Sequence, residues 1–386
     1  MPPFFDMPPT SHTSRIYGLD TLRALAIVLV FTNHYMLFVS GEPTFGFVGK
    51  MGWSGVDLFF ALSGYLIGNQ IFSALRSGAD FSLRHFYARR LLRTLPNFYV
   101  VLALYALWPY FRGTLVLPPL WRFLSFTQNV LLAPGTAFSH AWSLCVEEQF
   151  YLLLPALALL IAACRRSLVC GWIVIFACWV AGVLIRGHIW TTYVGPDEDG
   201  GFHYYSLIYY LSLCRCDELV AGVALALLKN FHAPLWMRMT SKGNWTLAAG
   251  LAMSALTWYC FLQDHYGYTM TLIGYPMMAL SYTLLLVAAL SPGALLQRVR
   301  VPGAASLALW SYAIYLSHKQ LCILMNVQLQ RHGWAPSSLP SVLAMSAASV
   351  LAGWLLYRLV ETPFMLLRDR YVPNNFASTK NRLVAV

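Results

Sequence analysis

An arginine and a histidine, Arg23 and His34, stand eleven residues apart in the first apolar stretch of this 386-residue chain. In an α-helix, residues eleven apart point in nearly the same direction and lie about 16 Å apart along the axis. An ionisable side chain inside a bilayer costs roughly 2.5–3.5 kcal/mol, so its position suggests a function. The alternative is that Arg23 snorkels to one membrane interface and His34 lies at the other. That interpretation leaves the alignment of the two side chains unexplained.

An aspartate, Asp57, begins the second apolar stretch in the segment GWSGVDLFFALSGYLIG. We expect Asp57 at a height similar to that of His34, where a carboxylate would fix the tautomer of the imidazole and support its charged form. Capping of the helix start is the alternative interpretation. Gly55, Gly64 and Gly68 in the same segment predict the close approach of a neighbouring helix.

Three arginines, Arg89, Arg90 and Arg93, begin the third apolar stretch in the segment FYARRLLRTLPNFY. The spacing of three places Arg90 and Arg93 on one helix face, where planar guanidinium groups can make paired contacts with phosphate. Anchoring by the positive-inside rule explains the same residues, and on spacing alone it is the simpler interpretation.

The segment HAWSLCVEEQFYLLLP, which begins the fourth apolar stretch, contains His140, Ser143 and two glutamates. Ser143 and Glu147 are four residues apart and therefore share a helix face. Glu147 and Glu148 together are too costly to face lipid, so we expect at least one of them to face a cavity or a basic side chain. The candidate partners are His140, Arg122 and Arg23.

The composition places these residues in an all-α, polytopic integral membrane protein. Hydrophobic residues make up 58% of the chain and charged residues 11%, with a mean hydropathy of +0.58, whereas about a quarter of the residues in a soluble domain are charged. Apolar runs of ~20 residues predict helical spans, and the short alternating segments of an outer-membrane barrel are not seen. About ten spans are predicted, near 17–39, 53–75, 94–111, 143–163, 167–186, 205–228, 244–262, 269–290, 304–326 and 340–361.

The distribution of positive charge predicts the orientation. Most of the 26 lysines and arginines fall in loops on the side of the N-terminus, so the positive-inside rule places both termini in the cytoplasm. We expect a short cytoplasmic tail over 1–14, a transmembrane domain over 15–370 and a cytoplasmic C-terminal tail over 371–386. The formal charge of +11 follows from this topology, so nucleic-acid binding is not needed to explain it.

The eight cysteines lie mostly within the predicted spans, where a thiol behaves as a small hydrophobe. Cys214 and Cys216 form a C-x-C pair, which has neither the redox spacing C-x-x-C nor a second half for a zinc site. We therefore expect neither a disulfide framework nor a metal site.

Taken in order, these motifs resemble the acyltransferase 3 family of integral-membrane proteins. The resemblance runs through GLDTLRALAI with R-x10-H, GVDLFFALSGYLI, FYARRLLRTLP with R-x-x-R, HAWSLCVEEQFYLLLP with S-x-x-x-E, SYAIYLSH and ETPFMLLR. It implies a bundle of about ten helices that takes an acyl group, commonly acetyl, from cytoplasmic acyl-CoA. The implied acceptor is a hydroxyl of an exported carbohydrate such as lipopolysaccharide O-antigen or exopolysaccharide.

The resemblance also implies roles for the residues of the first helix. His34 is the catalytic histidine, and Arg23 supports the donor or the developing charge; Asp57 joins them through its expected pairing with the imidazole. Transfer is either direct, with His34 as general base and then general acid, or proceeds through an acyl-histidine.

The arginine pair and the fourth helix receive the remaining roles. Arg90 and Arg93 hold the phosphates of CoA. The resemblance alone therefore changes the interpretation of this pair from membrane anchors to contacts of the acyl donor. Ser143 and Glu147, together with His140, shape the site on the acceptor side. Acyl-CoA is then a co-substrate, and no permanently bound cofactor is expected.

Two features depart from the family pattern. About 25 residues follow the last predicted span, so no C-terminal SGNH-type esterase domain is expected within this sequence. The residue before His318 is Ser317, where the family pattern has a bulkier side chain, and we therefore assign no role to His318.

Other functions are compatible with the same topology. A transporter or flippase for a polar lipid or sugar would use the intramembrane charges as a pathway, but the chain lacks the internal repeats of many transporters. A receptor or scaffold explains the spans but not the aligned polar face. Among acyltransferases, a macrolide or another small molecule is the alternative acceptor. We expect an enzyme of the bacterial inner membrane whose partners are lipid, acyl-CoA and the acceptor. The sequence is compatible with either a monomer or an oligomer.

Overall fold

The computed structural model describes residues 16–78, 81–196 and 200–375, and within these ranges it contains helices and no strand. The predicted all-α class is therefore confirmed. The predicted tail over 1–14 lies outside the described residues, as do residues 376–386 of the predicted C-terminal tail.

The helices follow one another through short connections. In the described part of the chain the α-helices are α1 (Tyr17–Tyr35), α2 (Gly46–Met51), α3 (Gly55–Ser77), α4 (Leu83–Leu107), α5 (Pro109–Arg112), α6 (Leu120–Leu124), α7 (Trp142–Ala162), α8 (Ser167–Ile189), α9 (Gly200–His203), α10 (Asp217–Phe231), α11 (Ala233–Thr240), α12 (Gly243–Gln263), α13 (Tyr275–Leu290), α14 (Leu295–Arg298), α15 (Ala304–Arg331), α16 (Leu339–Leu356) and α17 (Thr362–Tyr371). Wider, π-helical turns lie at Met36–Ser40, Trp190–Val194, Tyr204–Tyr209, Met270–Gly274 and Tyr357–Glu361, and 3₁₀ turns lie at Gly52–Ser54, Ser139–Ala141 and Ser212–Cys214.

Seven helical stretches among the described residues are long and apolar enough to cross a membrane. They are Tyr17–Ser40, Gly46–Ser77, Ser139–Ala162, Ser167–Val194, Gly243–Gln263, Met270–Leu290 and Leu339–Tyr371. The pair α10 and α11, bent by 111°, makes an eighth if it is counted as one span. The chain is thus an integral membrane protein, whereas the count of about ten spans and the orientation of the termini stay predictions.

The remaining predicted spans fall on helices that are interrupted or more polar. Those predicted at 94–111 and 304–326 lie on α4 and α15, which carry ionisable side chains into the protein interior. The one predicted at 205–228 is divided, because irregular residues that include Arg215 separate Tyr204–Tyr209 from α10. Ionisable side chains in these helices have protein partners or face a cavity, as their cost in lipid requires.

Three spans form the centre of the bundle. The most apolar stretches of Tyr17–Ser40, Gly46–Ser77 and Met270–Leu290 are 56%, 61% and 61% buried, whereas that of Ser167–Val194 is 6% buried. Helix α1 packs along α15 and α3, and α3 packs along α10. The candidate residues on α1, α3 and α15 therefore lie inside the protein and not on its lipid-facing surface.

Glycines allow α3 and α10 to meet at backbone contact. A Cβ atom added to Gly64 would lie 2.0 Å from the carbonyl oxygen of Leu219, and one added to Gly222 would lie 2.4 Å from that of Ala61. No side chain fits at these distances, which confirms the predicted close approach at Gly64. Small residues of this kind are typical of helix pairs in membranes.

The first prediction concerns this contact. Gly64→Ala should lower the apparent unfolding temperature of the detergent-solubilised protein, because overpacking of this kind costs about 1–3 kcal/mol. Gly171→Ala is the matched control, since its added Cβ would lie 3.6 Å from the nearest atom, at ordinary van der Waals distance. Equal unfolding temperatures for Gly64→Ala and the wild type would contradict the backbone contact.

Candidate functional site

A cavity of about 600 Å³ lies between α1, α3, α4, α7 and α15. On α3 its lining residues extend from Val56 to Ser73, which corresponds to about 25 Å of helix. This length is comparable to the ~30 Å hydrocarbon thickness of a bilayer. We call the end near Ser73 and Arg89 the arginine end, and the opposite end, near Val56 and Ser143, the histidine end.

Arginines dominate the charge of this cavity. The charged residues that line it are Arg23, Arg89, Arg90, Arg93, Arg368, Glu147 and Glu148. The structure thus brings Arg23 of α1 together with Arg90 and Arg93 of α4, which the sequence placed in separate motifs. A cleft with low-dielectric walls and an excess of one charge attracts ligands of the opposite sign. The cavity therefore suits an anionic ligand.

The two glutamates of α7 face the cavity, as their cost in lipid required. Ser63 donates a hydrogen bond of 2.7 Å to Oε1 of Glu147, and Oε1 of Glu148 lies 3.6 Å from Nε of Arg90. The observed partners are Ser63 and Arg90. They differ from the candidates expected from the sequence, which were His140, Arg122 and Arg23. The guanidinium of Arg90 also lies 3.6 Å above the ring of Tyr151, which holds it against α7.

Three histidines meet beyond the histidine end of the cavity. Nδ1 of His34 lies 2.8 Å from Nε2 of His318, and the two rings are stacked with centroids 5.0 Å apart. The ring of His140 lies 5.9 Å from that of His34 and 6.0 Å from that of His318. Across the described ranges no group of three His, Cys, Asp or Glu residues is placed to hold a metal ion, so we consider the rings as hydrogen-bonding groups.

A backbone carbonyl sets the tautomers of the stacked pair. Nδ1 of His318 lies 2.8 Å from the carbonyl oxygen of Ile314, which can only accept, so this nitrogen carries the hydrogen. When both rings are neutral, Nε2 of His318 is an acceptor and Nδ1 of His34 donates to it. Nε2 of His34 then keeps its lone pair, which is the form that a general base requires.

The contact between His318 and His34 was not predicted from the sequence. His318 is 1% exposed, and its neighbour Lys319 is 4% exposed and donates a 3.1 Å hydrogen bond to Ser139. Two adjacent ionisable residues in an apolar span were the available signal, because such residues seldom face lipid. Their pairing with α1 depends on the packing of α15 against it and could not be deduced from spacing.

Ser143 and Tyr315 form the wall between the cavity and the histidines. Both residues line the cavity, and their hydroxyl oxygens lie 2.6 Å apart. Tyr315 donates to the carbonyl oxygen of His140 at 2.7 Å, so the hydroxyl of Ser143 is the donor to Tyr315. His34 lies behind this wall, with its ring centroid 6.5 Å from that of Tyr315. The wall therefore lies between a ligand in the cavity and His34.

Asp57 is bound elsewhere than the sequence suggested. The expected pair with His34 is replaced by an ion pair with Arg215, and both side chains are fully buried. The guanidinium of Arg215 also lies 4.4 Å from the ring centroids of Tyr209 and Tyr275. A buried cation needs a counter-charge more than a neutral imidazole does, and it therefore takes the carboxylate.

Comparison with known sequences gives one family and several relatives. The Acyl_transf_3 family model, described as an acyltransferase domain, matches residues 16–358. Peptidoglycan O-acetyltransferase OatA of Listeria monocytogenes is 26% identical over 97% of this chain and 59% of its own length. YrhL of Bacillus subtilis, a candidate peptidoglycan O-acetyltransferase, is 27% identical over 92% of this chain and 55% of its own. An uncharacterized protein of Haemophilus influenzae is 31% identical over 45% of this chain and 75% of its own.

The chain is thus similar to a part of the larger relatives. It spans between half and three-fifths of the length of OatA and YrhL. No solved structure matches it.

The second prediction concerns the buried ion pair. Asp57→Leu or Arg215→Met alone should strongly lower the apparent unfolding temperature, because an unpaired buried charge costs about 3–5 kcal/mol. The double variant, measured in the same detergent, should lose less than the sum of the two single losses, because it removes both members of the pair together. Additive losses would show that the two residues do not interact.

Proposed function

Because the chain belongs to the Acyl_transf_3 family, we propose that it is a membrane-embedded O-acyltransferase that transfers acetyl from cytoplasmic acetyl-CoA to a hydroxyl of an exported carbohydrate. An arginine-lined cavity at one end and an available histidine base at the other support this reaction. In this proposal the arginine end faces the cytoplasm of a bacterium, where CoA thioesters are made, and the histidine end faces outward.

A carbohydrate acceptor is supported by the names of two relatives. OatA and YrhL are both named for the O-acetylation of peptidoglycan, which is a polymer of surface sugars. Lipopolysaccharide O-antigen and exopolysaccharide present the same reacting group, a sugar hydroxyl. We propose an acceptor of this class, and a macrolide is the comparison compound in the assay below.

The observation that carries the proposal is the hydrogen bond between His34 and His318. It directs the lone pair of His34 Nε2 away from His318, toward an incoming hydroxyl. The hydroxyl gives its proton to Nε2 while its oxygen forms a bond to the thioester carbonyl carbon. The carbon–sulfur bond then breaks, and the proton passes from Nε2 to the departing thiolate, which leaves His34 neutral. Proton transfer of this kind contributes about 10²–10⁴-fold to a rate.

The donor is bound at a distance from this base. Arg23 lies about 16 Å from His34 along α1, so it cannot stabilise charge at the reacting carbon. In our proposal Arg23, Arg90 and Arg93 bind the phosphates of CoA, and the pantetheine arm extends along the cavity toward the histidine end. The length of the arm matches this separation.

In this proposal Tyr315 moves aside so that the thioester can meet His34. Its hydroxyl takes part in two hydrogen bonds, one with Ser143 and one with the carbonyl of His140. A typical hydrogen bond contributes about 0.5–1.5 kcal/mol net, so breaking both is possible on the timescale of turnover. Ser143 and His140 thereby border the passage between donor and acceptor.

The third prediction tests the histidine pair. His34→Ala should lower the transfer of radiolabelled acetyl from acetyl-CoA by at least about 100-fold, because the base is lost. His318→Ala should lower kcat more than it changes KM, and His318→Gln should recover part of the loss, since its amide oxygen can accept from His34. Acceptors in the assay are peptidoglycan fragments, lipopolysaccharide, exopolysaccharide and a macrolide.

The control for this assay is His188→Ala, which alters an exposed histidine at the end of α8 and should leave transfer unchanged. All variants are compared at equal amounts of inserted protein. Full activity of His34→Ala would remove His34 from the reaction. Equal activities of His318→Ala and His318→Gln would remove the orienting role of His318.

The fourth prediction tests the arginine pair. Arg90→Ala and Arg93→Ala should each raise KM for acetyl-CoA about tenfold or more, because a hydrogen bond to a charged group contributes about 1.5–3 kcal/mol. Arg76→Ala is the control, since Arg76 is exposed at the end of α3 and does not line the cavity. If KM for acetyl-CoA is the same in all three variants, the arginine pair serves only as a membrane anchor.

A further inference from the structure

We propose that the rim of the cavity, formed by Arg89, Arg368, Asp369 and residues 372–375, binds the 3′-phosphorylated adenosine end of acyl-CoA. The inference rests on the proposed function and deepens it, because it assigns a second anionic subsite outside the R-x-x-R pair. The ligand class is an adenosine nucleotide that carries a phosphate on its ribose.

The first observation is the pair of guanidinium groups at the rim. Arg368 donates to both oxygens of Asp369, from Nε at 2.9 Å and from Nη2 at 3.1 Å. Arg89 donates from Nη2 to the same carboxylate at 2.8 Å. One carboxylate therefore holds two arginines in place, and the trio keeps a positive charge. Paired guanidinium donors are the usual partners of a phosphate group.

The second observation is that the chain after α17 is fastened across the start of α4. Arg89 donates from Nη1 to the carbonyl oxygen of Val372 at 2.7 Å. The amide of Asn375 bonds the backbone of Ser82 twice, donating to its carbonyl oxygen at 3.0 Å and accepting from its N–H at 3.3 Å. These bonds fix residues 372–375 beside the cavity, which Asn374 and Asn375 help to line. Residues 372–375 therefore form a fixed wall beside the two arginines of the rim.

The third observation is the placement of the charges along the cavity. Arg89 and Arg90 are adjacent in sequence but face different walls, since Arg89 contacts the chain after α17 and Arg90 contacts Tyr151 on α7. Arg93 lies three residues, about 4.5 Å of helix rise, beyond Arg90 on α4. CoA carries its negative charge in two places, on the diphosphate and on the ribose 3′-phosphate. Two groups of arginines on different walls of the cavity match that distribution.

The experiment compares acetyl-CoA with acetyl-dephospho-CoA, which lacks only the 3′-phosphate. The wild type should prefer acetyl-CoA about tenfold or more in kcat/KM, because a hydrogen bond to a charged group contributes about 1.5–3 kcal/mol. Arg368→Ala should bring this ratio close to one, and Arg368→Lys should keep part of it. Arg90→Ala should weaken both donors and leave the ratio unchanged, because both donors contain the diphosphate.

A binding measurement tests the rim independently of turnover. Adenosine 3′,5′-bisphosphate should raise the apparent unfolding temperature of the solubilised wild type more than adenosine 5′-monophosphate does, and Arg368→Ala should remove the difference. Arg370→Ala is the matched control, because Arg370 contacts the ring of Tyr371 and does not line the cavity.

The outcomes separate the two proposals. A wild-type ratio near one, or a ratio that Arg368→Ala leaves unchanged, would overturn the rim subsite while leaving the acyltransferase proposal in place. A wild type that transfers nothing from acetyl-CoA would overturn the proposed function, and the stabilisation by the bisphosphate would then decide the rim subsite alone.

Discussion

A charged or polar side chain inside a bilayer has to be given a partner or a polar cavity, and this constraint organises the interior of the protein. Arg215 takes Asp57 as its counter-charge, which fixes the first turn of α3. The arginines of α1 and α4 share a cavity with two glutamates and cluster toward one end. The histidines of α1 and α15 satisfy one another and a backbone carbonyl. With these contacts made, the cavity keeps an excess of positive charge. Nε2 of His34 keeps its lone pair.

Helix α1 connects these two chemical environments. It places Arg23 in the cavity and His34 behind the wall formed by Ser143 and Tyr315. Because a helix is stiff, their separation is fixed at about 16 Å, and a donor of that reach can be held at one end while it reacts at the other. In the proposed reaction, the Tyr315 wall lies between the donor in the cavity and the acceptor beside His34.

The sequence predicted those features that depend on local geometry. A spacing of three or four on a helix correctly placed Arg90 with Arg93 and Ser143 with Glu147 on one cavity wall. The partner of Asp57 was not predictable, because Arg215 comes from an irregular segment 158 residues away. The stacking of His318 on α1 likewise depends on tertiary packing. Helix periodicity gives the face of a residue, whereas the identity of its neighbour requires the arrangement of the whole bundle.

Transfer between opposite faces of a membrane is the central claim, and proteoliposomes test it most directly. Purified protein is reconstituted, radiolabelled acetyl-CoA is supplied only in the external buffer, and an acceptor sugar is sealed inside. Vesicles in which the arginine end faces outward, identified by protease access to the C-terminal segment, should accumulate labelled acceptor in their lumen. Supplying donor and acceptor together on the histidine side should give none. Labelling that requires both substrates on the same side would contradict the claim.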